Sequence, residues 1–306
     1  MIQGIIDIGS NTIRMAVYEI EDDKITLLLK KKYTVGLASY IQSNLMQQEG
    51  IDKACEILEE FKLFLEKFNI ENVVSFATAA LRNIDNSKKV MKEIINRTKI
   101  DIHVISGEEE ADLAFCGAIR TTKIKNGLLI DIGGASTEIV SYKERKITNI
   151  VSLPIGSLAL HKKYVKGLMP TSEEVRKMEE AIFVCLKEEK NLKQETSAKI
   201  CGIGGTFKGI YLLNNEINTE STEKISAENL NQMMHQFICD SNMISLENLD
   251  ILVEIVPERI KTIVPGMVIA NTLIDFFKSK EIFYSDTGVR EGYIYKKIIQ
   301  KEEKNR

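Results

Sequence analysis

The sequence predicts an α/β protein with mixed sheets, built from two halves that repeat one plan. The first sign is a duplicated pattern, because DIGSNT in the first half returns as DIGGAST in the second, each time between two strand-like apolar runs. The second sign is the order of elements, since each half runs from a meander of strands into alternating helices and strands. The 306 residues suit two domains of about 150 residues each.

The first half begins with strands, where apolar residues run or alternate and turn residues separate them. Its helices follow from apolar residues at three- and four-residue steps, most clearly over 51–68. The elements predicted for this half, in order, are strands at 4–8, 13–20 and 24–31, a helix at 51–68, a strand at 73–77, a helix at 86–98, a strand at 101–105 and a helix from 106 to about 120.

The second half repeats the meander and then becomes more helical. The elements predicted for it, in order, are strands at 127–132, 138–142 and 145–153, a helix at 172–192, a strand at 199–203, helices near 226–239, 246–255 and 265–278, a strand near 282–285 and a terminal helix from about 290. With only four prolines and no low-complexity linker, the halves are expected to be joined tightly.

Composition excludes several classes of function. The net charge is −3, which argues against a general nucleic-acid or membrane-surface protein. The five cysteines form no C-x-x-C pair and the three histidines have no ligand spacing, so neither a disulfide framework nor a zinc site is expected. No signal peptide and no apolar run of about 20 residues is found. These observations predict a cytoplasmic protein with reduced thiols.

The two repeated turns are interpreted as phosphate holders. Glycine lets the backbone approach a ligand closely and adopt positive φ, and successive turn amides can bind an anion. Asp7 and Asp131 precede the turns at strand ends, where a carboxylate can hold a water or a hard cation such as Mg²⁺. The other interpretation is a pair of ordinary hairpins without a ligand. The candidate phosphate-binding residues of the two turns are Gly9, Ser10, Asn11, Gly133, Gly134, Ala135, Ser136 and Thr137.

Two further segments carry candidate chemistry. A third glycine cluster, Gly204, Gly205 and Thr206, follows a predicted strand, although it matches neither a Walker loop nor a dinucleotide fingerprint. In SGEEEA, Ser106 and Glu109 form a predicted capping box, and acids in a first helical turn complement the helix dipole.

The motifs together resemble the Ppx/GppA phosphatase family, which comprises exopolyphosphatases and guanosine pentaphosphate phosphohydrolases. The matching segments run in family order over nearly the whole chain: DIGSNTIRM, FATAALRNIDN, VISGEEEADLAFCGA, LLIDIGGASTEIV, SLPIGSLAL, CGIGGT, VPERIKTIVPGMVIA and SDTGVREGYIY.

The resemblance implies a fold of two actin-like (ribonuclease H-like) domains with mixed five-stranded sheets, as in the acetate and sugar kinase, heat-shock chaperone and actin superfamily. The expected domains are 1–121 and 122–289, with a terminal helix at about 290–306 packing back onto the first. The length corresponds to the family's short form, and a homodimer is implied by the resemblance alone.

The resemblance also implies roles for individual residues. The substrate would be inorganic polyphosphate, cleaved at its terminal phosphoanhydride, and Glu110 would activate the attacking water. Glu138 would place water or Mg²⁺ together with Asp131 and Asp7, with K⁺ as a candidate activating ion. Arg82, which follows a predicted strand and matches a family motif, is a catalytic candidate. From its chemistry alone, Arg259 is a candidate phosphate ligand, because arginine can bind two phosphate oxygens at once.

Three alternatives remain open from the sequence. The same site could hydrolyse guanosine pentaphosphate (pppGpp), or the chain could be a kinase of the same superfamily. A polyphosphate or nucleotide sensor without turnover is the third, suggested by Ala135, which stands where the family usually has glycine. Alanine resists positive φ, so a distorted second turn is expected if that position requires it. The hydrolytic prediction requires both turns to converge on one anion pocket that Glu110 reaches.

Overall fold

The computed structural model describes residues 1–22, 24–192, 199–218, 224–239 and 244–300. These residues form two compact units. Unit 1 comprises Met1–Glu110 and the C-terminal residues from Tyr293 onwards, and unit 2 comprises Ala111–Gly292. The domain ranges 1–121 and 122–289 stay a prediction. Of the terminal helix predicted at about 290–306, residues 301–306 lie outside the described part.

Unit 1 is a sheet with helices, and its first three strands form the predicted meander. Its elements, in order, are β1 (Ile2–Ile8), β2 (Thr12–Glu21), β3 (Lys24–Thr34), a 3₁₀ turn (Leu37–Tyr40), β4 (Ile41–Gln42), β5 (Leu45–Met46), α1 (Gln48–Lys67), β6 (Val73–Ala77), α2 (Ala79–Arg82), α3 (Ser87–Thr98), β7 (His103–Val104) and the start of α4 (Gly107–Ala118).

The sheet of unit 1 has the strand order β3-β2-β1-β6-β7. The meander is antiparallel, whereas β1, β6 and β7 run parallel, so the sheet is mixed as predicted. Alternate residues of the central strands, such as Ile6, Ile8 and Met15, are fully buried in a core shared with α1 and α3. On the other face, the ring of Tyr293 stacks on Phe76.

Unit 2 repeats the meander and then adds more helices than unit 1. Its elements, in order after α4, are β8 (Gly127–Ile132), β9 (Thr137–Lys143), β10 (Lys146–Leu153), α5 (Ser157–Tyr164), α6 (Ser172–Glu188), β11 (Ile200–Ile203), α7 (Gly204–Ile217), β12 (Lys224–Ser226), α8 (Ala227–Gln236), α9 (Leu246–Ile255), a 3₁₀ turn (Pro257–Arg259), α10 (Ile263–Phe277), β13 (Glu281–Tyr284) and α11 (Val289–Tyr293), which is followed in unit 1 by a π-helix (Ile294–Ile299).

The sheet of unit 2 has the order β10-β9-β8-β11-β13-β12, one strand more than predicted. The additional strand is β12, which pairs antiparallel with β13. The small residues Ala111, Ala114 and Ala118 of α4 pack on one face of this sheet. A larger apolar core on the other face contains residues of α5, α6, α7 and α10.

Helix prediction failed where glycine or shortness hid the periodicity. The helices α2, α5 and α7 were not predicted, and α7 begins with two glycines directly after β11. Glycine disfavours helix interiors but is tolerated at a helix start. The omission matters for function, because Gly204–Thr206 form the first turn of a helix rather than a loop. None of the described helices is long and apolar enough to cross a membrane.

Candidate active site

The first repeated turn closes the hairpin of β1 and β2. The amide of Gly9 donates to the carbonyl of Thr12 at 2.9 Å. The carbonyl of Ser10 accepts from the amide of Ala38 at 3.0 Å, and that of Asn11 accepts from the two amides of residues 35 and 36. The carbonyl oxygens of Ser10 and Asn11 are therefore hydrogen-bonded to the loop that follows β3.

The second repeated turn closes the hairpin of β8 and β9 in the same way. The amide of Gly133 donates to the carbonyl of Ser136 at 2.9 Å. The carbonyl of Gly133 accepts from the amide of Ser157, and the carbonyl of Gly134 accepts from the amides of Leu158 and Ala159 in α5. A Cβ on Gly156 would lie 2.3 Å from the backbone of residues 134 and 135, so the start of α5 fits the turn only with glycine there.

These carbonyl contacts orient the amides of the turns. In a planar trans peptide group the N–H points opposite to the C=O. The carbonyls of Gly133 and Gly134 point toward α5, so the N–H groups of the next residues, Gly134 and Ala135, point away from α5. In the same way the carbonyl of Ser10 points toward the loop after β3, so the N–H group of Asn11 points away from that loop. Among the described residues we find no acceptor for these three N–H groups. Each turn thus presents backbone donors of the kind that bind anions.

Neither turn uses positive φ. The residues with positive φ in the described chain include none from 9–12 or 133–136. The distortion expected from Ala135 is therefore absent, because this position does not require a left-handed backbone. The predicted role of glycine as a source of positive φ is wrong for both turns.

The residues opposite each aspartate differ between the two hairpins. In unit 1, Asp7 pairs with Arg14 across β1 and β2, and their charged atoms are 3.9 Å apart. In unit 2, Asp131 pairs with Glu138 across β8 and β9. Residues directly opposite in antiparallel strands share a face of the sheet. Unit 2 therefore places two carboxylates side by side.

Glu138 is held by a residue of the third strand of the meander. Ser152 on β10 stands opposite Glu138, and its Oγ donates to Oε1 of Glu138 at 2.9 Å. Glu138 is only 1% exposed, so this hydrogen bond fixes the orientation of a buried carboxylate. The predicted strand alternation of Glu138 away from Ile139 is confirmed, and the burial excludes a solvent-facing Glu138.

The N-terminus of α7 adjoins Asp131. Gly204 has a φ of 76°, and a Cβ there would lie 2.2 Å from Oδ1 of Asp131, so this position requires glycine on both grounds. The hydroxyl of Thr206 donates to the carbonyl of Ile132 at 2.8 Å and fastens the helix to β8. The first amides of a helix carry partial positive charge, which favours anions. Unit 2 thus brings its turn, its carboxylates and a helix start together.

Glu110 lies in the first turn of α4 and is paired with Arg82. Nη1 of Arg82 is 2.8 Å from Oε2 of Glu110 and 3.1 Å from the carbonyl of Ile105. The side chains of Arg82 and Glu110 are 16% and 12% exposed. In this structure Arg82 therefore positions Glu110, a contact that its motif did not predict.

Burial raises the pKa of Glu110 above its ordinary value of 4.5. The hydrogen bond and charge of Arg82 oppose that rise, and the negative charge of Asp7 adds to it. A carboxyl with a raised pKa binds a proton more readily, which suits a group that must accept one from water.

Of the remaining acids in the SGEEEA motif, Glu109 has a structural contact, and the capping interpretation is confirmed in part. The Oγ of Ser106 accepts from the amide of Glu109 at 3.0 Å. The carboxylate of Glu109 does not complete the capping box but pairs with Nζ of Lys297 at 2.9 Å. Glu108 is exposed on the same turn.

Two predicted phosphate ligands hydrogen-bond to the backbone in this structure, and a third packs beside α7. The hydroxyl of Thr137 donates to the carbonyl of Ile155 at 2.7 Å, and that of Thr206 is used as described above. Arg259 ends the 3₁₀ turn of unit 2, and its Cδ lies 3.3 Å from where a Cβ on Gly209 would be. Its stem therefore rests on α7.

Ser152 was missed by the sequence prediction, as was the use of Ser157 to hold the second turn. Counting residues outward from the turn between β9 and β10 would pair Glu138 with Val151. A register shift between Ile147 and Asn149 makes Ser152 the partner instead, and the sequence did not show that shift. Both serines lie in the matched segment SLPIGSLAL, but that match assigned them no role. The contact of Ser157 with the carbonyl of Gly133 depends on the packing of α5.

The carboxylates of Asp131 and Glu138 suit a magnesium site in which substrate oxygens would supply the remaining ligands. Asp131 and Glu138 are hard oxygen donors on one face, and Mg²⁺ is usually bound by one or two carboxylates together with phosphates and water. Among the described residues no group of three or more His, Cys, Asp or Glu side chains could hold a metal by itself.

The fold and these motifs are those of a known protein family. Residues 16–301 match the Ppx/GppA phosphatase family, and the chain belongs to that family. The predicted family is thereby confirmed.

Three curated relatives show how this family varies. A bifunctional 3-dehydroquinate synthase/phosphatase of Fusobacterium nucleatum is 29% identical over 97% of this chain and 46% of that protein. A Haemophilus influenzae protein provisionally named an exopolyphosphatase is 28% identical over 95% of this chain and 89% of its own length. A guanosine-5′-triphosphate,3′-diphosphate pyrophosphatase of Pseudoalteromonas atlantica is 27% identical over 98% of this chain. The chain spans 59% of that last protein, so it covers about half the length of two of these relatives.

Solved structures confirm the fold class. The crystal structure of the Ppx/GppA family member of Aquifex aeolicus is 24% identical, covers 98% of both chains and superposes with a TM-score of 0.77. That of an exopolyphosphatase from Cytophaga hutchinsonii is 22% identical, covers 96% of this chain and 97% of its own, and gives 0.83. The fold is therefore the predicted pair of actin-like domains with mixed sheets.

Proposed function

We propose that this chain is a metal-dependent exopolyphosphatase that hydrolyses the terminal phosphoanhydride of inorganic polyphosphate and releases orthophosphate. The observation that carries the proposal is the nearly buried Glu110, which Arg82 holds in place and whose pKa burial raises. Such a group suits the activation of water, and no comparable group is needed for phosphate binding alone.

The turns hold the substrate. The outward N–H groups of Asn11, Gly134 and Ala135 would donate to phosphate oxygens, and the N-terminus of α7 at Gly204 and Gly205 would add its dipole. Arg14 would supply a cation beside the first turn. Fixing the phosphates in this way accounts for most of catalysis in phosphoryl transfer, where positioning and charge stabilisation dominate.

Glu110 acts on water. Its carboxylate would orient a water molecule toward the terminal phosphorus and accept its proton as the P–O bond to the leaving phosphate breaks. Arg82 keeps the carboxylate in one rotamer, which reduces the cost of ordering it during the reaction.

Asp131 and Glu138 would hold Mg²⁺, with Asp7 as a further candidate ligand. The ion, when bound, would offset the negative charge of the phosphates. The hydrogen bond from Ser152 to Oε1 of Glu138 would keep this carboxylate in a defined orientation toward the ion. K⁺ is proposed as an additional activating ion, a homodimer as the assembly and the cytoplasm as the location.

The second candidate is the 5′-phosphohydrolysis of pppGpp by the same residues. It is favoured by the Pseudoalteromonas relative, whose name states that activity. A comparison of kcat/KM on long-chain polyphosphate and on pppGpp, each with and without Mg²⁺, separates the two candidates. Release of phosphate from neither substrate, combined with tight binding, would instead identify a sensor.

The direct test of the mechanism is Glu110→Gln. We expect kcat to fall by about 10²–10⁴ while the fold is retained, because glutamine keeps the shape but cannot accept a proton. The wild type should lose activity as the pH falls through the raised pKa of Glu110, because only the carboxylate form accepts the proton.

The matched control is Glu108→Gln on the same helical turn, since Glu108 is exposed. This control should keep wild-type kcat. Full activity of Glu110→Gln, with phosphate release measured at saturating substrate, would remove Glu110 from the mechanism.

A further inference from the structure

The edge strand of unit 1 carries exposed lysines on the face that bears Arg14. β3 is the first strand in the sheet order and pairs with β2. The register places Lys32 opposite Arg14, and Lys30 opposite Ala16. Opposite residues share a face of the sheet, so the lysines continue the face of Asp7 and Arg14. Both Lys30 and Lys32 are exposed.

The lysines lead away from the phosphate turn in regular steps. Thr12 and Thr34 are paired next to the turn, followed by Lys32 and then by Lys30. Alternate residues of a strand on one face are roughly 6.5–7 Å apart. A flexible chain of phosphates that starts at the turn would therefore meet hydroxyls first and then successive cations.

The other lysines of β3 differ in setting. Lys31 lies on the opposite face and forms an ion pair with Glu60, to which Tyr33 also donates. Lys24 is opposite Glu21, at the far end of the strand. Lysine on an edge strand also discourages pairing with other chains, and that function would be served on either face. The two faces therefore provide an internal comparison.

We propose that Lys30 and Lys32, here called the lysine row, bind the following phosphates of a long inorganic polyphosphate whose end is held at the first turn. The inference rests on the proposed function, and it makes chain length the property that the enzyme selects. A chain with negative charge at every phosphate gains from each added cation. In pppGpp a nucleoside follows the three 5′-phosphates, so that substrate gains less from the lysine row.

The test removes two charges from either face of the same strand. The variant Lys30→Gln/Lys32→Gln is compared with the control Lys24→Gln/Lys31→Gln, using long-chain polyphosphate and tripolyphosphate. We expect the first variant to raise KM for the long chain about three- to tenfold and to flatten its salt dependence, because two surface charges that are screened by salt are lost. Its kcat and its KM for tripolyphosphate should stay within about twofold of wild type, as should both values for the control.

Three results would overturn the inference. One is an unchanged KM for the long chain, and another is an equal rise in the control, which would indicate only a diffuse field. The third is an equal rise for tripolyphosphate, which would place the lysines at the terminal phosphates.

The Kd for non-hydrolysed long-chain polyphosphate, measured by calorimetry without Mg²⁺, gives an independent result. If wild type hydrolyses nothing, the proposed function fails, while a weaker Kd in the lysine-row variant alone still supports the binding surface. An equal Kd in wild type and both variants overturns it.

Discussion

In unit 1 the residue opposite Asp7 is Arg14, whereas in unit 2 the residue opposite Asp131 is Glu138. The third strand continues the contrast, with Lys32 in unit 1 and Ser152 in unit 2. The two hairpins have the same turn length, the same closing hydrogen bond and the same antiparallel pairing. The difference lies in the side chains that stand on one shared backbone plan.

This contrast assigns opposite electrostatic roles to the two hairpins. Across the three strands of unit 1, an anion (Asp7) is followed by two cations (Arg14 and Lys32). Across β8 and β9 of unit 2, two carboxylates, Asp131 and Glu138, are neighbours. Their negative charges repel each other unless a cation or a proton lies between them. The same hairpin thus carries mainly cations in unit 1 and carboxylates in unit 2, which agrees with the phosphate-binding and cation-binding roles proposed above.

The largest effect is expected from removing a carboxylate charge in the hairpin of unit 2. Glu138→Gln should lower kcat by at least about a hundredfold and raise the Mg²⁺ concentration needed for half-maximal rate, because a ligand carboxylate is lost. The matched change Arg14→Gln should raise KM about tenfold with a smaller effect on kcat. Phosphate-release assays over a Mg²⁺ series measure both. Equal Mg²⁺ dependence in the two variants would contradict the division of roles.

A smaller effect is expected from the third strand of unit 2. Ser152→Ala should lower kcat about three- to tenfold with KM unchanged, and should cost about 1–2 kcal/mol in free energy of unfolding, because buried Glu138 loses a donor. Ser152→Thr should restore most of kcat, since threonine keeps the hydroxyl. A loss of stability without any change in kcat, or no rescue by threonine, would reduce Ser152 to a packing role.

The smallest effect is expected at the position where the family usually has glycine. Ala135→Gly should leave kcat and KM within about twofold of wild type and change the free energy of unfolding by less than about 1 kcal/mol, because Ala135 has no positive φ to relieve. Steady-state kinetics and urea unfolding measure these values. A large gain in kcat would show that the methyl group itself obstructs the turn.

Most of the sheet architecture could be predicted from the sequence. Alternating apolar residues around DIGSNT and DIGGAST predicted both hairpins, and helix periodicity located α1 within three residues of its start. Prediction failed for α7, because two glycines open it, and for β12, because three residues carry too little periodicity to recognise. Local patterns identify an element only when it is long enough to repeat its period.

By itself the sequence determined which residues face each other within the first hairpin. The strands predicted at 4–8 and 13–20 make Arg14 the partner of Asp7 from the turn and the two-residue period alone. In the second hairpin the strand predicted from residue 138 begins one residue too late, and the structure decided that Asp131 faces Glu138. Only the tertiary structure decided that Arg82 holds Glu110 and that Gly204 leaves room for Asp131. Those contacts join elements far apart in sequence, and their distances depend on how separate helices and strands pack around a common core.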